Sequence, residues 1–171
     1  LLELELKEEL LADVEVGILL SGGIDSSLIT AISSKLHKNI KTFSVSFENK
    51  KSYDESKYSQ LVAKSFNTDH YEFLFSEEEL LNYLPQLIES TDLPIYDPAM
   101  LPMLYLMDNV SDICKVVISG DGGDEIFAGY THHRVLKYKR IFTIISKIFS
   151  IFGIFNNKNN TLKSLLKLSP N

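Results

Sequence analysis

The sequence predicts an α/β fold built on a parallel sheet, and two features of its 171 residues indicate this. Short apolar runs rich in β-branched residues alternate with longer stretches that have the apolar spacing of a helix. Strands that alternate with helices are joined by right-handed crossovers, which cover both faces of the sheet. With 44% hydrophobic residues, the chain also has enough apolar side chains for one core. We therefore expect one globular unit.

The first half of the chain supplies three predicted strands and two predicted helices. Residues 14–20, 41–47 and 70–75 each form a short run rich in β-branched, aromatic or other apolar residues, which is typical of strands. Helical spacing over 26–37 and 53–66 predicts the two helices that connect them.

The second half adds a fourth strand and further helices. Residues 77–90 have helical spacing, but Pro85 predicts an interruption or a kink because proline lacks a backbone N–H. Residues 92–102 hold three of the five prolines, which predicts an ordered loop, with a helix at about 103–112 behind it. The apolar run 115–120 predicts the fourth strand.

The segment after Tyr130 has a different character. Residues 135–155 are strongly apolar but are interrupted by Lys137, Lys139, Arg140 and Lys147. These charges argue against a span of the bilayer. The favoured interpretation is a helix that packs against further protein, and a basic amphipathic helix on a membrane surface is the alternative.

The change in composition after Tyr130 predicts two parts of the chain. Residues 1–134 form the core of a domain, and residues 135–171 form a helical extension of the same domain that is cut short. The apolar surplus of the extension predicts missing contacts, either with another domain or with a second subunit, as in a homodimer.

Charge and cysteine content narrow the function classes. A net charge of −6 and a pI near 5.2 argue against a nucleic-acid binder, which needs a basic face. The single cysteine, Cys114, supports neither a disulfide framework nor a metal site and is expected to be a core thiol. Residues 1–17 are acidic and amphipathic, unlike a secretory signal, so we expect a cytoplasmic protein. The chain does not start with methionine, and we expect it to be a piece of a longer protein.

The stretch SGGIDSS, residues 21–27, lies between the first predicted strand and the helix that follows. At such a position the helix presents unpaired N–H groups and a partial positive charge, which favour an anion. Gly22 and Gly23 allow the backbone to close around a phosphate. Hydroxyl groups that can donate to phosphate oxygens come from Ser21, Ser26 and Ser27.

Asp25 lies in the middle of this stretch and would repel a bare phosphate. Its presence predicts a Mg²⁺ ion between the carboxylate and the phosphate. The alternative is that Ser21 or Asp25 is an ordinary helix N-cap and that the glycines only turn the chain.

A second group of carboxylates, Asp121, Asp124 and Glu125, follows the fourth predicted strand. Three carboxylates within five residues repel one another unless a cation or hydrogen bonds hold them. Asp25 and Asp124 are the expected metal pair, because a parallel sheet brings the carboxyl ends of its strands to one crevice. A solvated acidic loop is the alternative.

Both loops resemble those of known enzymes. SGGIDSS resembles the pyrophosphate-binding loop of the ATP pyrophosphatase superfamily, which includes NAD, GMP and tRNA-lysidine synthetases and has a Rossmann-like adenine nucleotide alpha hydrolase (PP-loop) fold. VVISGDGGDEIFAGY, residues 116–130, resembles the synthetase domain of glutamine-hydrolysing asparagine synthetases. Residues 10–27, 43–73 and 92–102 resemble the same domain in the same order. The resemblance covers residues 10–134.

This resemblance implies an AMP-forming ligase that uses ATP and Mg²⁺. Transfer of AMP to aspartate would give β-aspartyl-AMP, and ammonia would then displace AMP to give asparagine, with pyrophosphate as the other product. The family's ammonia comes from an N-terminal glutaminase domain that this chain lacks, and the family's synthetase domain continues well beyond residue 171. We expect the isolated chain to be inactive.

Roles for individual residues follow from the resemblance. Asp121 and Glu125 are the candidate catalytic residues, and Asp121 is the candidate proton acceptor in the ammonia step. The backbone around Ser119 and Gly120 is expected to reach the AMP part. An adenosine pocket, with core packing as the equal alternative, is expected to be lined by Leu19, Leu20 and Val45.

The acceptor carboxylate is left open by the sequence. Residues 92–102 lie where the amino-acid substrate is expected but contain no arginine to bind a second carboxylate. One alternative is a related amidotransferase that acts on a surface polysaccharide or a peptide, or that closes a β-lactam ring. The other is an inactive domain that binds a nucleotide or a partner.

Overall fold

The computed structural model describes residues 1–48, 54–92, 97–130 and 133. The chain divides into two compact units, Leu1–Asp121 and Gly122–Asn171. The described residues of the first unit form helices α1 (Leu2–Glu9), α2 (Ile24–Leu36), α3 (Ser56–Phe66), α4 (Glu77–Glu89) and α5 (Met100–Ser111), and strands β1 (Val16–Leu19), β2 (Lys41–Phe47), β3 (Asp69–Phe75) and β4 (Val116–Ile118). The second unit contains α6 (Gly123–Phe127).

The four described strands form one sheet in the order β3-β2-β1-β4, and every neighbouring pair is parallel. Gly17 of β1 pairs with Lys41 of β2 on one side and with Val117 of β4 on the other. Because all the strands run the same way, the loops that follow β1 and β4 leave the sheet at the same edge. The predicted parallel α/β fold is confirmed.

The hydrophobic core lies between the sheet and α5. Phe43 of β2 packs with Leu106 and Val110 of α5 and with Cys114, and all four are buried. A side chain at Gly17 of β1 would overlap the Phe43 ring and lie 3.3 Å from the Cys114 sulfur. The glycine therefore leaves room for the aromatic ring beneath the strand.

The opposite face of β2 is polar. Thr42, Ser44 and Ser46 are buried there, and Ser56 and Ser59 of α3, the helix that packs on this face, are buried too. We call these five residues the hydroxyl layer. Successive side chains of a strand point to opposite faces, so the alternation that buries apolar residues against α5 turns the hydroxyls toward α3.

Some predicted elements differ from the observed ones. Strand β1 is shorter than the predicted 14–20, and α5 starts at Met100, inside the predicted loop. Pro102 is compatible with this start because the N–H groups of a first helical turn have no intrahelical partner. Of the two predictions at Pro85, the interruption is wrong, since α4 continues through this residue, and the kink stays a prediction.

Other predictions concern residues that the structure does not describe. The boundary between residues 134 and 135 and the helix predicted at 135–155 lie outside the described residues. Within the described part of the chain, no helix is both long enough and apolar enough to cross a bilayer.

Candidate functional site

The stretch Ser21–Ser27, which we call the first loop, joins the carboxyl end of β1 to α2. Gly23 is the N-cap of α2, and no side chain of the described residues caps this helix end. The N–H of Gly23 donates to Ser21 Oγ at 3.2 Å. The next N–H groups, for which the helix offers no partner, are those of Ile24, Asp25 and Ser26. A helix start without a side-chain cap can bind an anion, and anion binding by the first loop stays a prediction.

Gly22 gives the first loop its shape. Its φ is +87°, a conformation that favours glycine. A Cβ at this position would lie 2.5 Å from the Cβ of Tyr58 and 2.7 Å from the backbone nitrogen of Ser59. The first turn of α3 therefore lies directly against the first loop, and only a glycine fits between them.

Sequence reasoning missed Tyr58 and Ser59. They lie 36 or more residues beyond Gly22 in the chain, so no local motif connects them. The topology of the sheet could have indicated their contact with Gly22, because α3 follows β2 and the carboxyl end of β2 lies beside that of β1. Tyr58 is exposed, whereas Ser59 is buried.

The three serines of the first loop differ in their contacts. Ser26 is buried; its hydroxyl donates to the Gly23 carbonyl at 3.3 Å and lies 3.2 Å from Ser21 Oγ. Ser21 is exposed and Ser27 is half-buried. Ser21 and Ser26 therefore order the loop in this state, and the proposed donation to phosphate by all three stays a prediction.

The segment that follows β4, Ser119 to Asp121, lies against the first loop. A Cβ at Gly120 would lie 3.0 Å from the Ser26 nitrogen and 3.2 Å from the Asp25 Cβ. The expectation that the loops after the first and fourth strands meet at one edge of the sheet agrees with this contact. Ser119 donates to an Asp121 carboxylate oxygen at 2.9 Å and accepts from the Asp121 N–H at 3.3 Å, which fixes the exposed Asp121 side chain.

The second unit contains the other two predicted carboxylates, Asp124 and Glu125, both on α6 and both exposed. The Tyr130 hydroxyl donates to Glu125 Oε1 at 2.6 Å, and this bond lowers the pKa of Glu125. Glu125 is therefore held as a carboxylate. The metal pair of Asp25 with Asp124 joins the two units and stays a prediction, and among the described residues no three acidic, histidine or cysteine side chains cluster as metal ligands do.

The three apolar residues expected at an adenosine pocket belong to the packed sheet. Leu20 is almost fully buried, and its N–H continues the strand ladder by donating to the Phe43 carbonyl at 2.8 Å. Leu19 packs against the hydrophobic core, and Val45 is half-buried. Core packing accounts for Leu19 and Leu20, and contact of any of the three with adenosine stays a prediction.

Comparison with known proteins shows which family this chain belongs to. The family model for asparagine synthase matches residues 1–168. The chain belongs to the asparagine synthase family. It is 37% identical over 123 residues to asparagine synthetase [glutamine-hydrolyzing] 1 of Bacillus subtilis, a match that covers 72% of this chain and 19% of that protein.

Two further relatives agree. A putative asparagine synthetase [glutamine-hydrolyzing] 2 of Methanocaldococcus jannaschii is 38% identical over 128 residues, and the match covers 71% of this chain and 24% of that protein. The asparagine synthetase [glutamine-hydrolyzing] of Zea mays is 33% identical over 148 residues, covering 79% of this chain and 25% of that protein. The chain thus spans 19% to 25% of the length of these relatives of the asparagine synthase family.

Solved structures with the same fold include an NAD synthetase and an NMN synthetase. The NH3-dependent NAD synthetase of Campylobacter jejuni, in complex with nitrate, superposes with a TM-score of 0.52 at 16% identity over 75% of this chain and 57% of that one. The NMN synthetase of Francisella tularensis gives a TM-score of 0.52 at 18% identity, with the same coverage of each chain. These likenesses confirm the predicted PP-loop fold of this asparagine synthase family member.

Proposed function

We propose that the chain is the nucleotide-binding part of an asparagine synthetase that forms asparagine, AMP and pyrophosphate from aspartate, ATP and ammonia. The observation that carries this proposal is the first loop: an uncapped helix end, shaped by Gly22 and contacted by Gly120 from the loop after β4. Membership of the asparagine synthase family supports aspartate as the acceptor.

The chemistry explains why pyrophosphate must be bound tightly. Oxide is too poor a leaving group for ammonia to replace it on a carboxylate. In the proposed first step, a carboxylate oxygen of aspartate attacks the α-phosphorus of ATP, and the bond from that phosphorus to the bridging oxygen breaks. Pyrophosphate leaves with the electron pair, and the N–H groups at the start of α2 stabilise its charge.

In the second step, the nitrogen of ammonia attacks the acyl carbon of β-aspartyl-AMP, and AMP leaves with the bonding electrons. The nitrogen must lose a proton, and Asp121 is the proposed acceptor. Ser119 holds the Asp121 carboxylate beside Gly120, which itself lies against Asp25. Glu125, held charged by Tyr130, is the second candidate for this catalytic site.

The residues of the first loop fit the proposed use of Mg²⁺. Asp25 lies on the first turn of α2, so its carboxylate is close to the N–H groups proposed to bind phosphate. A lone carboxylate there would oppose phosphate binding, and carboxylate oxygens are ligands that Mg²⁺ prefers. Asp25 and Asp124 would hold the ion, which when bound would neutralise phosphate charge.

The remaining partners are proposed on the names of the relatives. Ammonia would come from a glutaminase domain of the parent chain, since the relatives are glutamine-hydrolysing synthetases. A cytoplasmic location and a homodimer complete the proposal.

The experiment that tests the proposal identifies the bond that is cut. A protein that carries this chain together with the other segments found in its relatives should convert ATP to AMP and pyrophosphate when Mg²⁺, aspartate and ammonia are present. Omission of aspartate should stop AMP release, and other carboxylic acids in its place should not restore it. ADP and phosphate as the main products would refute the proposed reaction, and AMP release with another acceptor alone would refute aspartate.

A further inference from the structure

The hydroxyl layer is in contact with one titratable side chain, His70 of β3. The ring is half-buried, with Nδ1 2.9 Å from Thr42 Oγ1 and Nε2 3.3 Å from Ser44 Oγ. Thr42 Oγ1 also lies 2.8 Å from Thr68 Oγ1. Both ring nitrogens of His70 are therefore engaged by hydroxyl groups of the neighbouring strand β2.

These contacts continue from His70 to the first loop. The Ser59 hydroxyl donates to the Ser56 carbonyl at 2.9 Å and lies 3.4 Å from Ser44 Oγ. The backbone nitrogen of Ser59 is the atom that a Cβ at Gly22 would approach to 2.7 Å. Ser44 and Ser59 thus connect the histidine ring with the turn of α3 that supports the loop.

Protonation of His70 would change this arrangement. A neutral imidazole donates one hydrogen bond and accepts one, so each hydroxyl finds a complementary partner. A protonated ring donates from both nitrogens, and the hydroxyl that donated to the ring must rotate and lose its acceptor. Burial lowers the pKa of His70, and the charge of Glu72 partly opposes this, so the neutral ring is the form present at neutral pH.

The charged group that acts on His70 is Glu72 of its own strand. Glu72 lies two residues further along β3, and Gln60 of α3 donates to its carboxylate at 2.8 Å. The lysines of α3, Lys57 and Lys64, are exposed. On β2 the groups that contact the ring are the hydroxyls of Thr42 and Ser44, which carry no charge.

We propose that His70 is a positioning residue for the first loop: the neutral ring holds Ser44 and Ser59 in place beneath Gly22, and protonation loosens that support. The consequence for nucleotide rests on the proposed function of the loop, and is a fall in affinity for Mg-ATP as His70 becomes protonated. The structural coupling between His70 and Gly22 does not depend on that function.

The first test follows the coupling without any ligand. In a pH titration of the 171-residue chain by NMR, the amide signals of Gly22 and Ser59 should move with the same midpoint as the His70 ring protons, below the ordinary value of about 6.5. The Ser59→Ala variant should uncouple Gly22 from His70. Ser65→Ala is the matched control, because Ser65 lies on the same helix and donates to a helix carbonyl at 2.7 Å but is exposed. If the Gly22 and Ser59 amide signals do not shift with the midpoint of the His70 ring protons, the proposal is overturned.

The second test measures the dissociation constant for Mg-ATP between pH 5 and pH 8. Binding by the unaltered chain should weaken by roughly two- to tenfold as His70 is protonated, the factor expected for about one hydrogen bond. His70→Gln, which keeps a donor and an acceptor but does not titrate, should bind as at high pH and lose the pH dependence. His37→Gln is the control, since His37 is exposed and lies at the end of α2 away from the first loop.

The outcomes separate the two proposals. If His70→Gln keeps the pH dependence of the unaltered chain, the positioning role is wrong. If no ATP binds at any pH while Gly22 still follows His70, the positioning role holds and the proposed nucleotide function fails.

Discussion

Gly22 and Gly122 share a positive φ but have different surroundings. Both have a φ of +87°. A Cβ at Gly22 would lie within 2.7 Å of atoms of α3, whereas a Cβ at Gly122 would have no atom of the described residues within 4 Å. An alanine at either position imposes the strain of the left-handed conformation, but only at Gly22 does it also displace a neighbouring helix.

We therefore expect Gly22→Ala to be the more harmful of the two substitutions. Gly122→Ala should lower the free energy of unfolding by no more than about 1–2 kcal/mol, the cost of the backbone conformation. Gly22→Ala should add roughly 1–3 kcal/mol from overlap with α3 and should abolish the binding of Mg-ATP. Urea unfolding of both variants checks the difference, and equal losses would show that α3 does not lie against Gly22.

Asp25 is the residue of the first loop whose charge is expected to matter most. Asp25→Asn keeps the size of the side chain but removes the proposed Mg²⁺ ligand. It should weaken Mg-ATP binding by roughly tenfold or more, as for a lost charge-assisted interaction. The rise in melting temperature with Mg-ATP concentration measures this.

The control for Asp25 is Asp112→Asn. Asp112 is exposed and ends α5 ahead of β4, so it lies at the opposite edge of the parallel sheet. Its replacement should leave the ATP-dependent rise in melting temperature unchanged. An undiminished rise in Asp25→Asn would mean that this carboxylate is only a helix-end residue.

At the residue scale, the strand–loop–helix position of the first loop was predicted correctly because its signal is local, while the binding roles of its residues stay predictions. The glycines, serines and aspartate of the first loop are consecutive, and their link to an anion needs only a strand before them and a helix after. Tyr58 and Ser59 could not be found in this way, because their contact with Gly22 depends on how strands pair. Leu20 lies beside the motif, but the sequence cannot decide its role, because an apolar residue there can equally line a ligand pocket or pack in the core.

Among the elements, α4 and α5 are held together by an aromatic contact and a hydrogen bond. The Tyr83 ring packs edge-on against Tyr105 with ring centres 5.3 Å apart. The Tyr83 hydroxyl donates to the Asp108 carboxylate at 2.6 Å, which raises the pKa of Tyr83 to about 12. These helices flank residues 93–96, so the bond joins the two elements on either side of the proline-rich segment.

Tyr83→Phe should remove this hydrogen bond and keep the ring packing. We expect a loss of about 0.5–1 kcal/mol in the free energy of unfolding, because Asp108 is exposed and water can replace the hydroxyl. Tyr71→Phe is the control, since its hydroxyl donates to Asp69, two residues away on the same strand. A smaller effect in Tyr83→Phe than in Tyr71→Phe would contradict the role of the bond between helices.

The contribution of Tyr83 to the free energy of unfolding falls at high pH. The folded-state pKa of Tyr83 is above the unfolded value of about 10, so its contribution is complete below pH 10 and is lost as pH rises through about 12. The difference in stability between the unaltered chain and Tyr83→Phe should therefore shrink over that range.

The elements that were predicted have the correct order and type, and their ends were predicted less well. Strand β2 was predicted at its observed bounds because apolar residues and hydroxyls alternate along it without a break. Helices α1 and α6 were not predicted. Helix α1 has a weak apolar pattern with one buried residue, Leu6, and α6 has only five residues, so neither gives a clear periodic signal.

At the scale of the whole molecule, the sheet brings together segments that are far apart in sequence. The first loop, the start of α3 and the residues after β4 lie between residues 21 and 121, yet they meet at one edge because their strands are parallel and adjacent. The sequence predicted this edge but not the strand order, which depends on non-local pairing. The chain covers a fifth to a quarter of the length of its relatives, so we expect nucleotide binding without asparagine synthesis.

Because Cys114 lies directly beneath Gly17 of the sheet, its rate of reaction with a thiol reagent would report how often the sheet separates from α5. Cys114 is the only thiol in the chain, is buried under the central strand, and has a pKa raised by burial. A thiol reagent should therefore label it slowly at neutral pH, at a rate set by separation of β1 and β2 from α5, and Mg-ATP should slow the labelling further. In concentrated urea it should react at the rate of a free cysteine. Labelling as fast in buffer as in urea would mean that the central strand separates from α5 far more often than its packing implies.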